Sequence, residues 1–589
     1  MSIFKTAYRC LKKYPMLALA ALAATIIAAS FEGASFGMLI PLIQGMISRS
    51  GSVPDLTFLN VSLKFSSNSQ FVIVMLCILL ALLLAKNISG YVTNILIAKL
   101  RFRMIKDFSV CLMDNVIEYD LRYFDNTKSG FLISVLNNEI KRVGDFVLAV
   151  LNLLSLAVRF TTYVIILSLI SWKVSIVIVA AIALVLSPLE MIMKKLKVLG
   201  EKISVSLASY NSKITEILNG IRVIKYRCSE DAEKSAFGSD ISSLCRLQFD
   251  SNRYIYMLIP LSETLIFGII VAFFVFLIGA MKIDIASAFP FIAAYLVILV
   301  KALTQLNLMN SMRSSAVNNV AAFENYEKVV DGKDKKTIKS GRIILGELKD
   351  GIEFKDVSFG YENKKVLDNV NLITPRGRVT ALVGPSGAGK TTIINLLMRF
   401  YDTASGYILA DSTNLKELSL NEWRRGIGYV SQDIFMFDTT VRNNIAYGCR
   451  IFPGDEVIID AAKKAFAHDF IMGLPRGYDT ILGERGVKLS GGQKQRLSIA
   501  RAIVDDPKIL ILDEATSSLD TDTERMIKEA IDKITKERTV IIIAHRLSTV
   551  THADNIVVLE NGCVVECGNH ADLIDLNGTY KRLCERQLI

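Results

Sequence analysis

The sequence predicts a chain in two parts: an all-α membrane domain of six helices, then an α/β domain on a mainly parallel sheet. Three observations predict it. Six long apolar runs lie before residue 311, near 16–46, 71–98, 146–170, 173–196, 254–280 and 285–310. After residue 350 short β-branched strands, such as Val379–Val383, 509–512 and 539–543, alternate with helical segments. The first of these strands runs into Gly384-Pro-Ser-Gly-Ala-Gly-Lys-Thr391, a loop of G-x-x-x-x-G-K-[ST] spacing that opens a helical segment at 392–398.

Composition agrees. The 589 residues are 51% hydrophobic and 21% charged, against about 45–50% and about 25% in an average soluble chain. Mean hydropathy is +0.39. So small an excess fits a membrane part covering only part of the chain. Disorder is excluded by the apolar content. With 35 Gly and 11 Pro, collagen-like and low-complexity classes are excluded too. The nine Cys are scattered without paired spacing, which argues against a disulfide scaffold. The net charge of +11 admits a nucleic acid or an anionic membrane surface.

Spanning a bilayer takes about 20 mostly apolar residues, and every run passes. The first follows Lys5, Arg9, Lys12 and Lys13 like a signal peptide. It continues to residue 46, too long for a signal core, and is read as a retained helix. The second and third runs keep helical spacing beyond their apolar parts. Connections 99–145 and 197–253 are rich in Lys and Arg, whereas 47–70 holds only Arg49, Asp55 and Lys64, and 171–173 and 281–284 are tight turns. By the Lys/Arg rule the N-terminus, both long connections and everything after the sixth span face the cytoplasm, and Trp172 sits in an outer turn. Apolar residues in 56–65 suit a membrane surface, with a short outer helix the more economical reading. The membrane domain is thus residues 1–330, the polar stretch 331–350 a linker, and 351–589 the α/β domain.

Charges inside spans are costly and mark candidate contacts. Lys86, Glu190 and Lys301 fall toward the cytoplasmic ends and read as snorkelling or helix extension. Glu32, Arg159 and Glu263 are substrate-contact candidates; the alternative is an intramembrane ion pair that fixes helix packing.

The glycine-rich loop carries the first chemistry. Its backbone N–H groups and the following helix N-terminus form an anion nest for phosphates, over Gly384, Pro385, Ser386, Gly387, Ala388, Gly389, Lys390, Thr391 and Thr392. Lys390 reaches the β/γ-phosphates of ATP and Thr391 binds Mg²⁺. A second apolar strand ends in Asp513-Glu514. Asp513 suits the Mg²⁺ shell, and Glu514 suits deprotonation of the attacking water. In isolation such a carboxylate pair is more often a helix cap; beside this loop the catalytic reading wins.

Leu489-Ser-Gly-Gly-Gln493 is similar to the signature sequence of ABC transporter ATPase domains, and on it the chain resembles that family. Glu484 falls on the position that meets the membrane domain in exporters. Tyr361 resembles the aromatic that stacks on adenine, and Gln432 in Tyr429-Val-Ser-Gln resembles the Q-loop glutamine, a Mg²⁺ contact with Thr391 and Asp513. Asp520 in Ser518-Leu-Asp resembles the D-loop, and His545 in Ile543-Ala-His-Arg the switch histidine at the γ-phosphate. Tyr123-Phe-Asp-Asn-Thr-Lys-Ser-Gly130 and Glu216-Ile-Leu-Asn-Gly-Ile-Arg-Val-Ile-Lys225 look like the coupling connections of exporter-type (type IV) members. Glu32 with Pro41 resembles lipid-linked oligosaccharide flippases.

The resemblance implies an ATPase coupled to transport. Ser490, Gly491, Gly492 and Gln493 would close over ATP held by a second ATPase domain. One ATPase domain and six spans make half a transporter, expected as a homodimer, with a heterodimer the alternative. Expected is a flippase exporting a lipid-linked saccharide or glycolipid from the cytoplasmic side of a bacterial inner membrane. The alternatives are a multidrug or peptide exporter and an ATP-gated channel. The nucleic-acid reading of the charge falls away. Cys563 and Cys567 read as strand packing, without further ligands at metal spacing.

Overall fold

The computed structural model describes residues 3–47, 56–58, 61–63, 67–281, 285–330, 338–362, 364–513, 521–535, 538–544 and 550–587. Glu514, Asp520 and His545 lie outside the described residues. Contacts divide the chain into two units, Met1–Tyr119 with Tyr123–Lys335, and Asp120–Arg122 with Lys336–Ile589.

The first unit is mainly helical: α1 (Ile3–Leu11), α2 (Pro15–Gly37), α3 (Leu39–Ile47), α4 (Asn68–Glu118), α5 (Leu121–Asn126, whose first two residues fall in the second unit), α6 (Ser129–Ser134), α7 (Ile140–Ile170), α8 (Trp172–Asn219), α9 (Ile221–Tyr226), α10 (Glu230–Met281) and α11 (Ile285–Val330). Each apolar run lies on one of these helices, except that the first divides at Met38 into α2 and α3. Pro15 starts α2 at a position where its missing N–H costs no hydrogen bond. Ser67 caps α4, its hydroxyl accepting from the Gln70 N–H at 3.3 Å. Helices α4, α8, α10 and α11 hold 51, 48, 52 and 46 residues. At ~1.5 Å per residue each is about 70–78 Å long and more than twice the ~30 Å hydrocarbon core, so all four project into water. Among the described residues four segments are long and apolar enough to cross a membrane: Pro15–Ile43, Ser69–Glu118, Ser129–Ile170 and Ile292–Val330.

Polar ties fix the projecting parts. Buried Glu139, in a π-turn between α6 and α7, pairs with Arg142 at 3.2 Å. Arg142 also donates to Ser204 of α8 at 2.6 Å and to the Asn318 carbonyl of α11 at 2.9 Å. Helix α8 passes α11 so closely at Gly200 that a Cβ there would collide with the Asn318 carbonyl oxygen.

One element of this unit differs from expectation. Leu56–Phe58 (β1) pairs antiparallel with Val61–Leu63 (β2), Leu56 opposite Leu63, so this segment is a hairpin and not a short helix. Thr57 and Val61 are β-branched, which favours the extended form.

The second unit holds two sheets. Its strands are β3 (Gly351–Tyr361), β4 (Lys364–Pro375), β5 (Val379–Val383), β6 (Ser405–Ala410), β7 (Thr413–Asn414), β8 (Ile427–Val430), β9 (Ile509–Asp513), β10 (Thr539–Ile543), β11 (Asn555–Glu560) and β12 (Cys563–Gly568). The core sheet has the order β12-β11-β5-β10-β9-β8 and is parallel except at β12. A four-stranded antiparallel sheet, β4-β3-β6-β7, packs against it through a shared hydrophobic core that includes Phe354 of β3 and Ile511 of β9. Every residue of β9 is buried, as expected of a parallel strand covered on both faces. On β12 the exposed Cys567 thiol donates to Asn555 Oδ1 at 3.1 Å.

Candidate functional site

The core sheet gathers the chemistry at one edge. In the parallel registers Leu382 of β5 lies opposite Ile543 of β10, Ile543 opposite Asp513 of β9, and Leu512 opposite Val430 of β8. The carboxyl ends of four strands therefore meet, the usual place for a ligand in an open α/β sheet. From these ends continue the glycine-rich loop, Gln432, Glu514 and His545 in the chain.

The loop leads from β5 into α12 (Lys390–Leu397). Gly384, Gly387 and Gly389 have φ of +152°, +81° and +105°, which favour glycine. At Gly384 a Cβ would also collide with the Leu559 carbonyl oxygen. The Lys390 ammonium bonds to the carbonyls of Gly384 at 2.8 Å and Pro385 at 3.0 Å, which holds the cation within the loop. Ala388 is buried, its N–H bonded to the Pro385 carbonyl at 3.2 Å.

A cavity of about 820 Å³ lies over this loop. Ser386, Gly387, Gly389, Lys390, Thr391 and Thr392 line it, joined by Tyr361 from the end of β3 and Gln432 after β8. Lys364, Lys365, Val366, Asn561 and Gly562 also line it and were not singled out from the sequence. Asn561 and Gly562 form the β11–β12 turn with φ of +49° and +80°. Asn-Gly between two apolar strands is a hairpin signal that was there to be read. Among the described residues the lining holds three lysines and no acidic residue, so this part of the cavity suits a polyanion.

Tyr361 is held in place. Its hydroxyl accepts from Asn395 Nδ2 at 3.2 Å, and its ring makes perpendicular contacts with Phe359 and Tyr401 at centroid distances of 5.0 and 5.2 Å. It presents an aromatic side chain at the mouth of a phosphate-binding loop, the arrangement a nucleoside triphosphate needs.

Asp513 is 3% exposed at the end of β9. The Tyr429 hydroxyl donates toward its Oδ2 at 3.5 Å. Burial, then the Asp513 charge, push the Tyr429 phenol up to about 12, so it stays a neutral donor at physiological pH. Tyr429 was missed as a site residue; its signal was a phenol in a short strand three residues before Gln432.

Ser490 caps the helix Gly491–Ile503 in a reciprocal box. Its hydroxyl accepts from the Gln493 N–H at 3.2 Å, and Gln493 Oε1 accepts from the Ser490 N–H at 3.0 Å. Leu489 is buried, and Ser490 and Gly491 are exposed. Gln493 thus shapes the loop. Among the described residues, none of 490–493 lines the cavity over the glycine-rich loop. Glu484 is exposed in a tight turn where Gly483, Arg485 and Gly486 all have positive φ.

In the membrane unit Glu32 is 4% exposed. Lys86 Nζ lies 2.8 Å from its Oε1, and the Tyr163 hydroxyl donates to the same oxygen at 2.6 Å. The snorkelling reading of Lys86 is therefore corrected: this ammonium turns into the helix bundle toward a buried carboxylate. Arg159 precedes Tyr163 by one turn of α7 and faces Gly90, one turn beyond Lys86 on α4. Glu263 is exposed on α10 and accepts from Asn307 Nδ2 of α11 at 3.3 Å.

A family model described as ABC transporter matches residues 367–517, and another, ABC transporter transmembrane region, matches residues 22–302. The chain is 35% identical over 87% of its length to an "ATP-dependent lipid A-core flippase" of Desulfotalea psychrophila, covering 89% of that protein. It is 36% identical over 82% of its length to a "Putative multidrug export ATP-binding/permease protein" of Bacillus subtilis, covering 83% of it. A solved structure of a bacterial Atm1-family ABC exporter with ATP bound superposes with a TM-score of 0.84 at 24% identity, over 97% of this chain and 99% of that one. That likeness concerns the fold.

Proposed function

The chain belongs to the ABC transporter family, as a membrane-embedded, ATP-binding half of an exporter, and from that premise we propose that it works as a homodimeric flippase for a lipid-linked saccharide or glycolipid. The observation that carries the ATP-driven part is the lysine-lined cavity over Gly384–Thr391, at the carboxyl ends of a parallel sheet, on a chain whose other half is apolar helices. The lipid A-core flippase relatives support the substrate class. A multidrug exporter is the second reading, supported by the relative of that name.

The phosphates of ATP lie on the loop N–H groups with Lys390 at the β/γ end, and adenine stacks on Tyr361. Mg²⁺ fits the donors present: the Thr391 hydroxyl, the Gln432 amide oxygen and the Asp513 carboxylate are hard oxygen ligands. The ion supplies neutralisation of phosphate charge. Tyr429 orients Asp513 for that task. Glu514 takes the proton of the attacking water, and Gln432 and His545 act at the γ-phosphate.

Ser490, Gly491, Gly492 and Gln493 serve the ATP of the partner copy, with Asp520 at that junction. The exposure of Ser490 and Gly491, and the absence of all four from the described cavity lining of their own chain, support this. ATP then closes the dimer because the γ-phosphate is bonded from both sides only in the closed state. The connections near 123–130 and 211–220 carry the change to the membrane helices. On α9, Ile221, Val223 and Tyr226 are exposed beyond any apolar span, which supports a docking role. Among the charged candidates, Arg159 and Glu263 meet the substrate, and Glu32 fixes α2 against α4 and α7. The N-terminus and ATPase domain face the cytoplasm of a bacterial inner membrane.

Reconstituted in liposomes, the protein should move a fluorescent glycolipid to the leaflet opposite its ATPase domains in an ATP-dependent way. ATP-gated ion current without lipid movement would overturn the reading. Tyr361→Ala should raise the KM for ATP about 3–10-fold, since aromatic stacking contributes about 0.5–1.5 kcal/mol beyond burial, with kcat retained. Tyr361→Phe should behave as wild type, and steady-state ATPase titrations check both.

A further inference from the structure

An apolar groove of about 340 Å³ lies where α1, α2, α4 and α7 meet in the membrane unit. We propose that it holds one acyl chain of an anionic phospholipid resident in the cytoplasmic leaflet, with the headgroup phosphate at Lys12.

The shape comes from small side chains. Ala18, Ala21 and Thr25 recur on one face of α2, and Ser155 of α7 joins them. They leave a slot where larger residues would close the helix contact. The slot offers little that is polar: Thr25 Oγ1 already donates to the Ala21 carbonyl at 2.8 Å and lies 3.5 Å from Ser155 Oγ. An alkyl chain fits such a surface and a polar group does not.

The length selects one leaflet. From Pro15 to Thr25, both in the lining, the α2 axis rises ~15 Å, half of the ~30 Å hydrocarbon core. The end at Pro15 is the one beside the basic N-terminal segment, hence the cytoplasmic side by the Lys/Arg rule.

The mouth supplies the charge. Lys12 and Tyr8 both line the groove and both are exposed. Neighbouring cations are engaged: Arg9 pairs with Glu327 at 2.9 Å and Lys13 lies 4.0 Å from Asp107. No acidic side chain pairs with Lys12 among the described residues. The backbone carrying Lys12 is fixed, because Ala7 and Cys10 of α1 are buried and the Tyr14 hydroxyl donates to Asp107 at 2.6 Å. Lys12 is a cation held at the open end of an acyl-sized slot.

Native mass spectrometry of the detergent-purified full chain, titrated with phosphatidylglycerol and with phosphatidylcholine of equal chain length, tests this. Wild type should bind phosphatidylglycerol more tightly. Lys12→Gln should weaken phosphatidylglycerol about fivefold and leave phosphatidylcholine unchanged, as expected for one basic residue near an anionic headgroup. Ala18→Phe, which fills the slot, should remove the tightest binding event for both lipids. Lys12 is exposed, so its variant should fold, and unchanged basal ATPase activity verifies that. Equal affinity of wild type for the two lipids, or undiminished phosphatidylglycerol binding by Lys12→Gln, would overturn the proposal. Lys390→Ala, which disables the ATP site, should bind phosphatidylglycerol like wild type. Loss of the lipid in that variant would make the lipid a transported cargo and overturn its residency.

Discussion

Replacing Glu514 with glutamine is expected to lower steady-state ATP hydrolysis by about 10²–10⁴-fold, the range for loss of a general base, and to leave ATP binding in place. Glu514 directly follows Asp513, the last residue of a wholly buried strand. That strand is flanked in register by β10, two residues before His545, and by β8, two residues before Gln432. A carboxylate at this chain position continues from the same sheet edge as the phosphate loop. Glutamine keeps size and hydrogen bonding but has no basic oxygen to receive the proton of water. Lys390→Ala should fail differently: it removes the ammonium that lies within the loop, so binding itself weakens. Phosphate release and equilibrium binding of radiolabelled ATP, measured on both variants, separate the two losses. Full-rate turnover in Glu514→Gln would remove Glu514 from the chemistry.

The ATP site was legible because backbone geometry dictates its residues. Positive φ at Gly384, Gly387 and Gly389 restricts residue choice, so the loop shows in the sequence as a pattern. Its remote walls did not show. Asn561 and Gly562 reach the cavity from a hairpin some 170 residues farther along, and Lys364 from a strand of another sheet; contacts across such separations leave no local period. The six apolar runs were legible because a bilayer demands length and hydropathy, yet hydropathy is silent about partners. Lys86 was placed by depth alone, whereas the carboxylate it meets sits on α2, across a helix interface. The β1–β2 hairpin was missed because three-residue strands carry too little alternation to compete with a helix reading.

The Glu32–Lys86 pair yields the second large effect. Glu32→Gln should destabilise the membrane domain by about 2–3 kcal/mol, near the cost of an uncompensated charge within a membrane helix. Lys86→Met should cost less, because the Tyr163 hydroxyl still donates to Glu32. In the double variant neither charge remains. Tyr163 can still donate to the glutamine carbonyl, and stability should return to near wild type. A double-mutant cycle on unfolding in detergent isolates this coupling. Read alongside substrate-stimulated ATPase activity, the cycle also separates two roles for Glu32. A carboxylate that only fixes α2 against α4 and α7 can be replaced once its counter-ion is gone, so stimulation should recover together with stability. If stability recovered and stimulation did not, Glu32 would be touching substrate, and its burial with one oxygen bonded to both Lys86 and Tyr163 would describe a contact that opens during the transport cycle.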